Sequence, residues 1–229
     1  MRFHNYFLNS DNIKTKYVCP DECKFKDRKD NPIVGVPLPQ MPHELTGVLI
    51  SRDPTTAFIK PYLKVRGAKD ASEWRKALIT TNAPPQWIVS QIATFDRKYM
   101  EGRHAHEIER LREVITNNVY WTHLHKCCTD KTEKEADSFS YKNARLCADQ
   151  WLGEEISDAI RLNAKFILCL GRDVESFMRE WDAPEKGRIK ILYLPHPART
   201  ANGAWNPKDQ SRKDEIADTI DELFSIISN

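Results

Sequence analysis

No stretch of this 229-residue sequence approaches the roughly 20 apolar residues that a membrane-spanning helix requires. The first residues, MRFHNYFLNSDN, lack the basic start followed by an apolar run that marks a signal peptide. A soluble, cytoplasmic protein with no membrane partner is the expectation. An excess of one charge sign is missing too. The 35 Lys and Arg are nearly balanced by 33 Asp and Glu, so a net charge of +2 sets up no global basic field for a nucleic acid. Only a local basic face stays open to one. Internal repeats and low-complexity segments are also absent, which excludes solenoid and array architectures.

Six cysteines stand out against this background. In a reducing compartment they serve as metal ligands or free thiols rather than as a disulfide framework. Four fall in two distant pairs, Cys19 with Cys23, and Cys127 or its neighbour Cys128 with Cys147. Thiolates are soft ligands that suit iron-sulfur clusters and zinc, so the pairs read as one metal centre tying the N-terminus to the middle of the chain. Four unrelated thiols remain the competing reading, because Cys-x-x-x-Cys is looser than the common Cys-x-x-Cys pair. With 40% hydrophobic and 30% charged residues, the chain is long enough to fill one core. We expect a single domain over 1–229, in which residues 1–45 are an N-terminal segment tied down by the metal.

Prolines at Pro20, Pro32, Pro37, Pro39 and Pro42 favour an irregular connection before the regular fold. Four short runs then read as buried strands: Gly47–Ser51, Val119–Leu124, Lys165–Leu170 and Ile189–Leu194. Helical periodicity lies between and after them. Trp87, Ile88, Ile92, Phe95 and Tyr99 share one helix face beginning near Pro85, and Ile108, Leu111 and Ile115 mark a second helix. Cys147, Trp151, Ile156 and Ile160 belong to a third, Val174, Phe177 and Met178 to a shorter fourth, and Ile216 to Ile227 to the last. Strands alternating with helices predict an α/β three-layer sandwich: a central four-stranded, mostly parallel sheet flanked by helices, with right-handed crossovers.

That architecture predicts where function lies, because ligands of open parallel sheets bind beyond the carboxyl ends of the strands. Arg52, Asp53, Pro54, Thr55 and Thr56 leave the first strand. His123, His125 and Lys126 end the second, and His196 to Thr200 leave the fourth. An acid and several imidazoles converge on one rim.

In this order the residues resemble the uracil-DNA glycosylase superfamily, particularly its iron-sulfur branch. Ile50-Ser-Arg-Asp-Pro54 looks like the superfamily's first motif, a Gly-x-Asp-Pro or Gly-Glu-x-Pro turn. Trp121-Thr-His-Leu-His-Lys-Cys127 is similar to the branch's Thr-Asn-x-x-Lys-Cys segment. Cys147-x-x-x-Trp-Leu-x-x-Glu-Ile156 followed by Phe166–Gly171 looks like its helix-strand unit, and Leu194-Pro-His-Pro-Ala198 like its closing His-Pro motif. With the N-terminal cysteines the likeness covers most of the chain. It implies a structural four-iron four-sulfur (4Fe-4S) cluster on Cys19, Cys23, Cys127 and Cys147, with Cys127 chosen because it follows the matching lysine. Zinc is the competing metal. Cys169, inside an apolar strand, reads as a small core residue.

Breaking a base-sugar bond builds positive charge on the deoxyribose and negative charge on the departing base. Such a site needs an anion near the sugar and a donor at the base oxygen. The resemblance implies these roles for Asp53, orienting or deprotonating water, and for His196, donating to the base. Local chemistry alone reads Asp53 as a turn cap and His196 as a loop histidine. In the iron-sulfur branch an alanine normally occupies the position of Asp53, so this aspartate resembles the uracil-specific branch instead. His123 stands where the superfamily usually has an asparagine whose amide pairs with uracil. An imidazole offers one function per ring nitrogen in a given tautomer, so the replacement points to a base other than plain uracil.

Arg52 is a candidate for a phosphate or a base substituent, and Phe58 for stacking on an extruded base. Arg199 or Trp205, in the loop after the His-Pro motif, is a candidate wedge into DNA, the competing reading being an ordinary surface loop before Pro207 with Trp205 packed onto the final helix. Arg145, Arg161, Arg172 and Arg188 read as dispersed, solvated charges rather than a DNA track. The expected protein is therefore a monomeric DNA glycosylase acting on DNA, in repair or in antiviral defence against hypermodified phage bases. A non-catalytic iron-sulfur DNA-binding protein is the rival class.

Overall fold

The structure, a computed structural model, describes residues 21–22, 45–52, 84–125, 141–182, 184–198 and 203–228. Its elements run in the order β1 (Gly47–Ser51), α1 (Pro84–Tyr99), α2 (Ile108–Asn117), β2 (Val119–His123), α3 (Tyr141–Arg161), β3 (Phe166–Leu170), α4 (Arg172–Glu180), β4 (Lys190–Leu194) and α5 (Gln210–Ser228). Short 3-10 turns at Ala105–Glu107 and Pro184–Arg188 precede α2 and β4.

The four strands form one sheet in the order β2-β1-β3-β4, and every pairing is parallel. The central strands β1 and β3 are covered on both sides, and they and the outer strand β2 are buried at every position. The edge strand β4 alternates instead: Leu192 and Leu194 are buried while Lys190 is exposed. Close packing dictates one residue choice. A Cβ on Gly47 would stand 2.5 Å from the ring of Phe166, its registered partner on β3.

Strand alternation sends side chains into two cores. On one side Leu49, Trp121, Leu168 and Leu194 pack with Ile88, Ile92 and Phe95 of α1, Leu111 of α2, and Ile220 and Phe224 of α5. On the other, Val48, Ile50, Tyr120 and Ile167 pack with Leu152 and Ile156 of α3 and Val174 and Met178 of α4. The expected α/β three-layer sandwich is thus present, with an all-parallel sheet.

Helix ends follow local chemistry. After α1, Glu101 and Gly102 adopt positive φ (58° and 71°), and the Gly102 N–H returns to the Asp96 carbonyl at 3.1 Å. This is the turn-back by which a helix satisfies its last carbonyls. No helix among the described residues is long and apolar enough to cross a membrane.

Candidate active site at the carboxyl rim

Parallel strands bring all their carboxyl ends to one edge. The helices that follow β1 and β3 lie on opposite faces, α1 in one core and α4 in the other. Adjacent strands whose connections part in this way open a crevice between them. Arg52 leaves β1 on one side of it, and Gly171, Arg172 and Asp173 leave β3 on the other. The Arg52 guanidinium donates to Asp173 Oδ2 at 3.2 Å, across the crevice. Both side chains are more than one-third exposed (37% and 39%), so the pair adds at most about 1 kcal/mol, yet it sets the direction of Arg52. Tyr141, first in α3, donates its hydroxyl to Asp173 Oδ1 at 3.2 Å. Burial, and then the Asp173 charge, push its phenol above the ordinary range.

The β1–β2 ladder continues past the strand ends. Leu124 N–H donates to the Ser51 carbonyl at 2.9 Å and His125 N–H to the Arg52 carbonyl at 3.0 Å, which sets the histidine segment beside Arg52 at the end of β1. This corner is braced on both faces. On one, Trp121 Nε1 donates to Ser51 Oγ at 3.2 Å. On the other, the fully buried Glu155 carboxyl accepts the Tyr120 hydroxyl at 3.1 Å and the Thr122 hydroxyl at 2.9 Å. A carboxyl at that depth is tolerable only when hydrogen-bonded, so it anchors α3 to the strand that ends in His123. His123 lies on the Trp121 side of β2 and is 1% exposed, and His125 is 2% exposed.

The β3–β4 corner presents His196. Gly171 N–H donates to the Leu194 carbonyl at 2.8 Å, and a Cβ on Gly171 would stand 3.2 Å from the Cβ of His196. Gly171 also takes φ 92° and ψ 160°, a region open essentially to glycine alone. His196 is fixed twice more. Its Nδ1 accepts the Ala198 N–H at 3.1 Å, and its carbonyl accepts Trp205 Nε1 at 3.1 Å. An Nδ1 that accepts a backbone N–H leaves the proton of the neutral ring on Nε2. His196 is therefore held as an Nε2–H donor at the rim. It borders an open cleft of about 550 Å³ formed with Gly171, Arg172, Lys208 and Arg212.

The expected site residues divide accordingly. The structure gathers Arg52, His123 and His196 at one rim, while Asp53, Phe58, Arg199, Cys19, Cys23 and Cys127 lie outside the described residues. Trp205 departs from its expected role as a wedge. It is 3% exposed, meets Phe95 edge-on at 6.3 Å between ring centroids, and spends its N–H on His196. Burial makes it a support for the His-Pro turn rather than a probe of DNA. Arg52 is likewise a paired side chain rather than an idle surface arginine.

Of the four proposed ligands, Cys147 is described, 6% exposed near the start of α3. Among the described residues no three His, Cys, Asp or Glu side chains come close enough to hold a metal. Cys169 is fully buried, and burial pushes its thiol well above the usual range, which suits a core residue and not a thiolate ligand. Sequence reasoning misses Asp173, Tyr141, Lys208 and Arg212. The strand-end rule that singles out Arg52 applies equally to Asp173, whereas no local signal marks Tyr141.

No protein-family model and no curated protein matches this chain.

Proposed function

We propose that this protein is a DNA glycosylase that flips a damaged or modified base out of DNA and hydrolyses its N-glycosidic bond, leaving an abasic site. The observation that carries this reading is His196. A neutral imidazole whose Nδ1 is occupied by the Ala198 N–H offers Nε2–H as a fixed donor at the carboxyl rim of a parallel sheet. That is the group a departing base oxygen needs, and its motif is among those that resemble the uracil-DNA glycosylase superfamily.

In the reaction the C1′–N bond breaks with its electron pair going to the base, while His196 stabilises the growing charge by hydrogen bonding. Asp53 follows directly on Arg52, whose direction Asp173 sets. Its carboxylate stabilises the cationic sugar and orients water, whose oxygen bonds to C1′; the water's proton is released and the free base takes one up. His123 reads the base edge, and its difference from asparagine points away from plain uracil. Phe58 stacks on the flipped base and Arg199 contacts the DNA beside it. On this reading the protein works as a cytoplasmic monomer, and Cys19, Cys23, Cys127 and Cys147 hold a structural 4Fe-4S cluster. When bound, that cluster would brace the segment around Cys127, four residues beyond His123. Repair of a deaminated base and defence against hypermodified phage DNA are the two biological settings that fit this chemistry.

The test is a panel of duplexes carrying uracil, hypoxanthine, xanthine or modified cytosines, followed by alkaline cleavage of abasic sites. We expect cleavage in one substrate class by the wild type and a loss of about 10²-fold or more in Asp53→Ala and His196→Ala. No cleavage of any duplex, or wild-type cleavage equal to that of Asp53→Ala, would remove the enzyme and leave a DNA-binding iron-sulfur protein.

A further inference from the structure

Two cations 36 positions apart in sequence line one cleft beside His196: Arg172 opens α4, and Lys208 lies just before α5. Both are exposed, and among the described residues neither is paired with a carboxylate. Arg212, from the first turn of α5, lines the same cleft but is already engaged, with its guanidinium 2.5 Å from Glu215 and 3.6 Å from Glu175. It closes the wall between α4 and α5. Asp209 also lies in the lining, and its carboxylate accepts the Arg212 N–H at 3.3 Å, capping α5. Capping is missing on the opposite wall. The nine-residue helix α4 follows Gly171, which makes no side-chain hydrogen bond to its first turn; Asp173 and Glu175 stand in that turn, the first paired with Arg52 and the second facing Arg212.

The cleft thus holds two side-chain cations that pair with no carboxylate among the described residues, while its one lining carboxylate, Asp209, is spent on capping α5. Its volume of about 550 Å³ and its open form suit a chain passing through rather than an enclosed small molecule. We infer that this cleft holds the phosphodiester backbone of the nucleic-acid strand, with Arg172 and Lys208 each neutralising a phosphate. The identity of the polymer rests on the glycosylase reading; the anionic, chain-like character of the ligand rests on the cleft. Contacts of this kind give affinity and register without reading bases. They therefore act alike on every sequence.

Counterion release provides the measurement, since each phosphate neutralised on duplex DNA contributes about 0.9 to the slope of log affinity against log salt. Binding of a labelled duplex is followed by fluorescence anisotropy across a salt series for wild type, Arg172→Ala and Lys208→Ala. The control is Lys190→Ala, which removes an equal charge from the opposite end of β4, where Lys190 pairs with Glu222 at 2.6 Å. Thermal melting shows that each variant is folded. We expect each cleft variant to lower the slope by about 1 and to weaken matched and unmatched duplexes alike, with Lys190→Ala unchanged. Slopes for Arg172→Ala and Lys208→Ala equal to that of Lys190→Ala, or no duplex binding by the wild type, would overturn the cleft assignment. Altered slopes without base release would support the cleft and remove the glycosylase. Base release with unaltered slopes would do the reverse.

Discussion

Trp205 and His196 show how one side chain changes meaning between sequence and structure. In the sequence, Trp205 sits in a loop rich in small and polar residues, where an aromatic is easily read as exposed. In the fold it is almost entirely buried and donates to the carbonyl of His196, the proposed donor to the base. Truncating it removes both effects, whereas Trp205→Phe keeps most of the packing and loses the hydrogen bond. We expect Trp205→Ala to cost about 3–5 kcal/mol in urea unfolding, as large aromatic truncations in cores do. Trp205→Phe should cost about 1 kcal/mol, the net worth of one hydrogen bond plus a small volume change. Equal, near-zero costs for both would mean that the indole does not support the His-Pro turn. Packing of Trp205 onto the last helix is the competing reading of the sequence; what the sequence does not contain is its edge-on contact with Phe95 of α1, 110 positions earlier in the chain.

At the scale of elements, the last helix is held to the turn before α2 by a polar clasp. His104 stacks on Phe224 at 4.2 Å between ring centroids, and its Nε2 lies 2.6 Å from Asp221. The Ser228 hydroxyl donates to Glu107 at 2.6 Å. That bond, followed by the hydrogen bond and charge of His104, holds the Glu107 carboxyl below its usual value of 4.5 against an opposing effect of burial. A carboxyl with a depressed folded pKa adds stability in full above the unfolded value. That stability disappears as the pH falls through the folded one. The wild type should therefore lose stability on acidification through and below pH 4.5 more steeply than Glu107→Gln, and the two should differ most at neutral pH. Unfolding midpoints across an acid titration check this, and parallel curves would contradict it.

The elements themselves were largely legible. Among the described residues, short apolar runs and 3.6-residue periodicity locate the four strands and five helices to within a few residues, although only β3 is apolar throughout. What periodicity does not contain is the strand order, and it is the order β2-β1-β3-β4 that sets Arg52 against Asp173. The same limit applies to charge. Arg172 reads as one of several dispersed arginines until β4 and the start of α5 bring Lys208 to the same cleft.

In the molecule as a whole, a parallel sheet carries a rim of histidines and arginines, and we propose a metal on Cys19, Cys23, Cys127 and Cys147. Metal and chemistry are separable by experiment. Protein purified without oxygen should be brown with stoichiometric iron and sulfide, and Cys19→Ser should lose the colour and some thermal stability. A colourless protein with stoichiometric zinc would contradict the cluster while leaving the rim intact. On the proposed reading, the geometry contributes a donor fixed at His196 and an Arg52 side chain held by Asp173. We propose that this rim cuts a base from its sugar. It is tested most directly by mass identification of the free base released from the duplex panel. We expect free base in amounts equal to the alkali-labile sites formed by the wild type, and none from Asp53→Ala. Tight duplex binding by the wild type with no base released from any substrate would contradict it.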